Sequence, residues 1–203
     1  MLTQSVRFWF DPACPFAWIT SRWMREVEQV RDVAVDFNII SLGVLNEGKD
    51  DPNDLETQNK WQGARVAMAV RQRHGADKVG EFYTAAGTRI HNEHYGMDRY
   101  EEALSEALEE IGVEDRDEIL SESQNDTYDQ DLRDSTKNAL SLVGNDVGTP
   151  IIAIGESAFF GPVMTRIARG EQAGKIWDGF ANVVEFPYFY ELKRARTTEL
   201  DFS

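Results

Sequence analysis

The chain has 203 residues, 41% of them hydrophobic, which suits one large globular domain or a small domain with an insertion. Its formal charge of −15, from 36 acidic and 21 basic side chains, argues against nucleic acid and anionic membranes as partners. The single cysteine excludes an internal disulfide framework. We see no signal peptide and no apolar run long enough to span a membrane, so we expect a cytoplasmic protein.

The first forty residues predict a strand, a helix and a second strand. The aromatic run from Val6 to Phe10 is typical of a strand, and Asp11 with Pro12 ends it. Helical periodicity starts near Cys14, and strand alternation returns in residues 33–40. A right-handed crossover would make the two strands parallel neighbours.

The middle of the chain predicts helices. Apolar residues recur at helical spacing in residues 61–68 and again in residues 100–111. Residues 101–134 carry fourteen acidic side chains and two arginines, which favours a solvated helix face over an acidic docking surface. Because this block is too long for a loop, we predict that residues 45–140 form a helical domain inserted between residues 1–44 and 141–203.

The last third predicts two strands and a helix. Residues 149–155 and 157–161 read as the strands of a β-hairpin, with glycine beside the turn. An amphipathic helix follows around Trp177, and Pro187 is expected to open one or two further helical turns. The predicted fold is therefore α/β, ordered βαβ, helical block, ββα, with helices on both faces of a mixed sheet.

Cys14 is the candidate nucleophile. It precedes Pro15, which suits the first turn of a helix, and it follows the first predicted strand. A helix amino terminus stabilises an anion, so we expect a lowered thiol pKa at this position. The alternative is a small buried apolar residue without chemical function.

Thr149 and Pro150 form the second candidate feature. A proline at the beginning of a strand avoids the missing donor that it would leave in the middle. If the Thr149–Pro150 bond is cis, the Thr149 backbone is available to pair with a substrate; an ordinary trans proline is the alternative.

These features together resemble the thioredoxin fold as it is elaborated in DsbA-like proteins. More narrowly, residues 8–23, 87–94, 148–154 and 189–196 are similar to the cytosolic actinobacterial branch of mycothiol-dependent nitroreductases. The resemblance implies a thiol oxidoreductase, often a homodimer, that forms a mixed disulfide with the small thiol mycothiol. Cys14 would be its attacking cysteine and Pro150 its cis-proline.

Ala17 departs from the dithiol pattern of this family. The motif is Cys-Pro-Phe-Ala, so no second cysteine is present to resolve a mixed disulfide internally. A natural monothiol site and an engineered cysteine replacement would give the same sequence. Mycothiol from solution would then resolve the adduct, and the resemblance implies a disulfide or a nitroaromatic as the electron acceptor.

Aromatic and histidine residues complete the predicted site. We expect Phe16 and Trp18 to face a substrate, although aromatic residues here also suit the core. His91 is predicted to bind substrate or donate a proton. A metal site at His91 and His94 would lack a third ligand, and we predict no metal.

Two other kinds of protein stay open as alternatives. Kappa-type glutathione transferases and chromene-carboxylate isomerases share the expected fold and activate a bound thiol without disulfide cycling. A thiol-binding or dimerising module without catalysis is the third hypothesis. Arg22, Arg65, Arg71 and Arg73 are interpreted as solvated helix charges, with binding of a small thiol's carboxylate as the alternative. Asp11 is interpreted as a helix cap or turn residue, with an effect on the Cys14 sulfur as the alternative.

Overall fold

A computed structural model describes residues 3–203, and its fold is α/β as predicted. The sheet has the order β2-β1-β3-β4, with β1 parallel to β2 and antiparallel to β3, and β3 antiparallel to β4. The strands are β1 (Gln4–Phe10), β2 (Val33–Ile39), β3 (Ile151–Ile154) and β4 (Ser157–Phe160). The α-helices are α1 (Pro15–Val30), α2 (Leu42–Leu45), α3 (Leu55–His74), α4 (Ala76–Gly87), α5 (Tyr100–Glu110), α6 (Arg116–Ser123), α7 (Asp129–Val143) and α8 (Gly170–Val184).

Alternation along β1 places apolar side chains on both faces of the sheet. Phe8 and Phe10 belong to a large buried cluster that also holds residues of α1, α4 and α8. Trp9 belongs to a second cluster with Ile151 of β3 and Ala139 of α7. Helices therefore cover both faces, and the core continues through the sheet.

The helical block between β2 and β3 shares its core with the sheet. The ring of Phe10 stacks on Tyr83 of α4 with centroids 3.7 Å apart, and Phe37 of β2 packs against both rings. One buried cluster thus runs from the sheet into α3, α4 and α5. The division at residues 45–140 stays a prediction, since no gap in the core marks it.

The segment after α8 differs from its prediction. Residues 187–203, the C-terminal tail, contain no helix, and Tyr188, Tyr190 and Leu192 are exposed. Because these side chains are exposed, burial of an apolar face does not stabilise a helix here, and the expected helical turns are wrong. The tail instead runs back to the amino end of α1, where it contacts Phe16.

Candidate active site

Cys14 lies at the N-cap of α1, where the sequence placed it, with Pro15 in the first turn. The backbone N–H of Ala17 donates to the Cys14 sulfur over 3.4 Å. The sulfur therefore takes the place that a serine or aspartate oxygen usually occupies at a helix start. The side chain is only 6% exposed.

Asp11 shapes the loop that presents Cys14. Its two carboxylate oxygens accept hydrogen bonds from the backbone N–H groups of Ala13 (2.8 Å) and Leu42 (2.7 Å), and its carbonyl accepts from the Cys14 N–H (3.0 Å). The side chain is fully buried, and burial raises its pKa to about 7 against the opposing effects of these N–H donors and Lys60. Asp11 thus ties the Cys14 loop to the start of α2.

Thr149 and Pro150 lie beside the sulfur, at the beginning of β3. The Cys14 thiol donates to the carbonyl oxygen of Thr149 over 3.5 Å, and the Thr149 hydroxyl donates to the carbonyl of Trp9. The Thr149–Pro150 peptide bond is cis. The chain thus brings two segments 135 residues apart into direct contact at Cys14.

The expected low thiol pKa is wrong for this conformation. Burial raises the pKa of Cys14 to about 11, and the Asp11 carboxylate adds to the rise, while the N–H groups of Ala17 and Phe16 oppose it. A helix amino terminus acts within one turn, whereas desolvation depends on every element that surrounds the sulfur. At neutral pH Cys14 is therefore a thiol in this state.

His91 reaches the Cys14 loop from a π-helical turn after α4, and its role in substrate binding or proton donation stays a prediction. Its Nε2 lies 2.9 Å from the carbonyl oxygen of Pro12, so Nε2 carries the proton and donates. Burial lowers the pKa of His91 to about 4, which leaves the ring neutral at physiological pH. His94 is exposed and takes no part in this contact.

Trp18 lies behind the site. It is 2% exposed, its Nε1 donates to the Asn92 side chain over 2.9 Å, and its ring stacks near His91 with centroids 5.7 Å apart. The absence of a side chain at Gly87 makes room for the indole, because a Cβ there would collide with the ring. The expectation that Trp18 faces a substrate is therefore wrong for this conformation.

Phe16 remains partly accessible and lies under the C-terminal tail. The guanidinium carbon of Arg196 is 4.7 Å from the centre of its ring. Further along the tail, Phe202 packs on His91 with ring centroids 5.7 Å apart, and its carbonyl accepts from Asn92 over 2.8 Å. The tail thus contacts two residues near Cys14, Phe16 in α1 and His91 after α4.

The four arginines interpreted as solvated charges have other roles. Arg22 is largely buried, with its guanidinium carbon 4.2 Å from the centre of the Trp18 ring, and burial lowers its pKa to about 10. Arg65 pairs with Asp129, while Arg71 donates to the Phe37 carbonyl. Arg73 forms ion pairs with acidic residues of the Asp115 to Glu122 segment.

Sequence reasoning missed two contributors, the C-terminal tail and the two-sided contact of Asp11. The tail's Lys193, Arg194 and Arg196 stand out in an acidic chain, and that basic cluster was the available signal. Within residues 3–203, no helix has the length and apolar character needed to cross a membrane. The same residues contain no cluster of three or more His, Cys, Asp or Glu suited to a metal ion.

Solved structures with the same fold include an isomerase and several DsbA oxidoreductases. A 2-hydroxychromene-2-carboxylate isomerase matches with a TM-score of 0.58 at 14% identity, over 88% of this chain and 95% of that chain. A probable DsbA oxidoreductase from Streptomyces coelicolor matches with a TM-score of 0.56 at 16% identity, over 98% and 94%. At such low sequence identity, the structural likeness shows the fold alone, and that fold is the DsbA-like thioredoxin fold.

Sequence comparison identifies the family. The uncharacterized protein Rv2286c of Mycobacterium tuberculosis is 27% identical over 197 residues, which cover 95% of this chain and 83% of that protein. The model of the Rv2466c-like family, described as mycothiol-dependent nitroreductase Rv2466c, matches residues 13–194. That match spans Cys14, His91, Thr149 and Pro150 and most of the chain between and beyond them. The chain therefore belongs to the Rv2466c-like family and is a thiol-dependent oxidoreductase.

Proposed function

We propose that the protein is a cytoplasmic monothiol oxidoreductase that uses Cys14 together with mycothiol to reduce a disulfide or a nitroaromatic compound. The observation that carries the proposal is the position of the Cys14 sulfur, between the Ala17 N–H at the start of α1 and the Thr149 carbonyl. Membership of the family supports mycothiol as the thiol. We assign Pro15 and Phe16, which follow Cys14 in α1, to substrate and thiol binding, together with Thr149, Pro150 and His91.

With a disulfide acceptor, Cys14 performs two exchanges. The Cys14 thiolate attacks one sulfur, forms a mixed disulfide and releases the other half of the substrate as a thiolate. A thiol from solution then attacks the adduct, so that Cys14 leaves as a thiolate and a new external disulfide forms. Ala17 has no sulfur to perform this second step internally.

With a nitroaromatic acceptor, two thiols supply the two electrons. Oxidation of Cys14 and one mycothiol to a mixed disulfide releases two electrons and two protons. The nitro group takes up the two electrons and the two protons, becomes a nitroso group and loses one oxygen as water. A second mycothiol restores the Cys14 thiol by exchange and is released as mycothiol disulfide.

Attack by Cys14 requires a more open conformation than the one described. In this state the sulfur is buried and protonated at neutral pH, because desolvation outweighs the helix terminus. When His91 and Phe202, which packs on it, move away, water reaches the sulfur, while the Ala17 N–H still favours the anion. The open form therefore supplies the thiolate, and the closed form protects it.

The test is intact mass after exposure to mycothiol disulfide, followed by addition of mycothiol. The proposal requires the gain of one mycothiol per chain on Cys14 and its removal by the free thiol. A Cys14→Ser variant should form no adduct and should lose reductase activity. An unchanged mass for the wild-type protein would refute the disulfide-exchange mechanism.

The transferase-like alternative is favoured by one observation, the buried and protonated Cys14 thiol. In that function Cys14 orients a bound thiol by hydrogen bonding and never becomes oxidised. The Cys14→Ser variant separates the two functions, because a serine hydroxyl can still donate to the Thr149 carbonyl. Retained turnover without an adduct would favour the alternative.

A further inference from the structure

The C-terminal tail is fastened at its end. Asp201 forms an ion pair with Arg166 (2.8 Å), and its backbone N–H donates to the carbonyl of Thr165 (2.8 Å). The hydroxyls of Thr198 and Thr165 are 2.7 Å apart. Together with the contacts of Phe202 to Asn92 and His91, these bonds hold the tail in one course over the amino end of α1.

This course places Arg196 at Phe16, two residues after Cys14. Its guanidinium carbon lies 4.7 Å from the ring centre, which is the geometry of a cation–π contact. Such a contact leaves the N–H groups that point away from the ring available to a ligand. Arg196 is exposed, so a ligand that approaches Cys14 from solvent can reach it.

Arg196 is unusual among the arginines because no carboxylate neutralises it. Within residues 3–203, eleven arginines form ion pairs with Asp or Glu. Of the other four, Arg7 donates to the Gly155 carbonyl and Arg22 is buried against Trp18, which leaves Arg194 and Arg196. Only Arg196 of these two contacts a residue beside Cys14.

A cation without a carboxylate partner at this place can attract anionic substrates that the rest of the chain repels. A chain with a net charge of −15 repels anionic substrates at long range, so their capture depends on a local positive group. A guanidinium edge matches planar groups that carry two oxygens, with two parallel N–H bonds. Carboxylate and nitro groups share this shape, although only the carboxylate carries a full charge.

We propose that Arg196 is a substrate-binding residue, which holds a carboxylate or nitro group of the acceptor while Cys14 reacts. This specificity role rests on the proposed redox function and adds the class of acceptor to it. The tail then does more than cover Cys14, because it contributes one wall of the binding site.

The test uses Cys14 as its own reporter, since it is the only cysteine. Alkylation by anionic iodoacetate is compared with alkylation by neutral iodoacetamide at low salt and one pH. In Arg196→Gln, we expect the rate ratio of iodoacetate to iodoacetamide to fall by about three- to fivefold, the size expected of one exposed charge pair. Arg194→Gln is the matched control, with the same charge change two residues away and no contact with Phe16.

Two results would overturn the proposal. An unchanged ratio in Arg196→Gln would show that no anion is bound there. Equal changes in Arg194→Gln and Arg196→Gln would show that the general field of the tail, rather than a specific site, acts on the reagent.

Protection experiments separate the two ligand groups. Benzoate and nitrobenzene are each tested for slowing the alkylation of Cys14 by iodoacetamide. Protection that is lost in Arg196→Gln supports the site and identifies which group it holds, whereas protection that is equal in both proteins overturns it. These results do not depend on mycothiol, so an absent mycothiol adduct would refute the redox function and leave the anion site standing.

Discussion

The Cys14 thiol donates to the carbonyl oxygen of Thr149, with the sulfur 3.5 Å from that oxygen. A carbonyl accepts from a thiol but repels a thiolate, so this contact favours the protonated sulfur, as burial does. We predict that iodoacetamide alkylation of Cys14 rises with pH through a midpoint near 11. The measurement is the alkylation rate from pH 6 to 11, which should still be rising at the upper limit, and a midpoint below 8.5 would show that the open form predominates in solution.

The carboxylate of Asp11 also opposes ionisation of Cys14. Asp11→Asn removes that charge, so it should lower the Cys14 pKa and accelerate alkylation at pH 8 several-fold. The amide keeps one acceptor oxygen and therefore loses either the Ala13 or the Leu42 bond, at a cost of about 1–2 kcal/mol in the free energy of unfolding. Asp36→Asn, on the far strand β2, is the control and should leave the alkylation rate unchanged; equal acceleration by both would contradict a local effect.

Local patterns predicted the elements that carry the site, but not the surroundings of the sulfur. Periodicity and turn residues indicated β1, α1, β2 and the β3–β4 hairpin, because these depend on near neighbours in sequence. The burial of Trp18 depends on Gly87 and His91, which pack against it only in the folded chain. The raised pKa of Cys14 depends on desolvation, which is likewise a property of the folded chain.

Local sequence patterns also did not predict the course of the C-terminal tail. Its course has no periodic pattern, since it is set by isolated contacts such as that of Asp201 with Arg166. Residues without regular structure leave no spacing from which such contacts can be predicted.

His91 gives the fold a sensitivity to acid. Its pKa is lowered from 6.5 to about 4 by burial, so the unfolded chain binds a proton in this interval that the folded chain does not. The contribution of His91 to the free energy of unfolding is therefore fully present above pH 6.5. It is lost as the pH falls to about 4, by about 3 kcal/mol in total. The free energy of unfolding, measured with urea across this pH range, should decline less with acid in His91→Gln than in the wild type. Parallel declines in the two proteins would contradict the prediction.

Gly87 makes room for the Trp18 indole at the end of α4. A Cβ at residue 87 would collide with that ring, so Gly87→Ala should displace it and lower the free energy of unfolding by about 1–3 kcal/mol. Gly179→Ala in α8 is the control, because nothing lies within 4 Å of its Cβ position and the change should stabilise the helix by up to about 1 kcal/mol. Thermal unfolding and tryptophan fluorescence measure both effects, and equal stability of the two variants would contradict them.

Phe202 packs on His91 and thereby closes the outer side of the Cys14 loop. Phe202→Ala removes this cover, so the sulfur should gain access to water and its pKa should fall from about 11 towards the ordinary value of a thiol. Alkylation by iodoacetamide at pH 8 should then accelerate at least several-fold. Leu192→Ala removes a similar apolar side chain from an exposed part of the same tail and should have no effect. An unchanged rate in Phe202→Ala would mean that the sulfur is buried by the core and not by the tail.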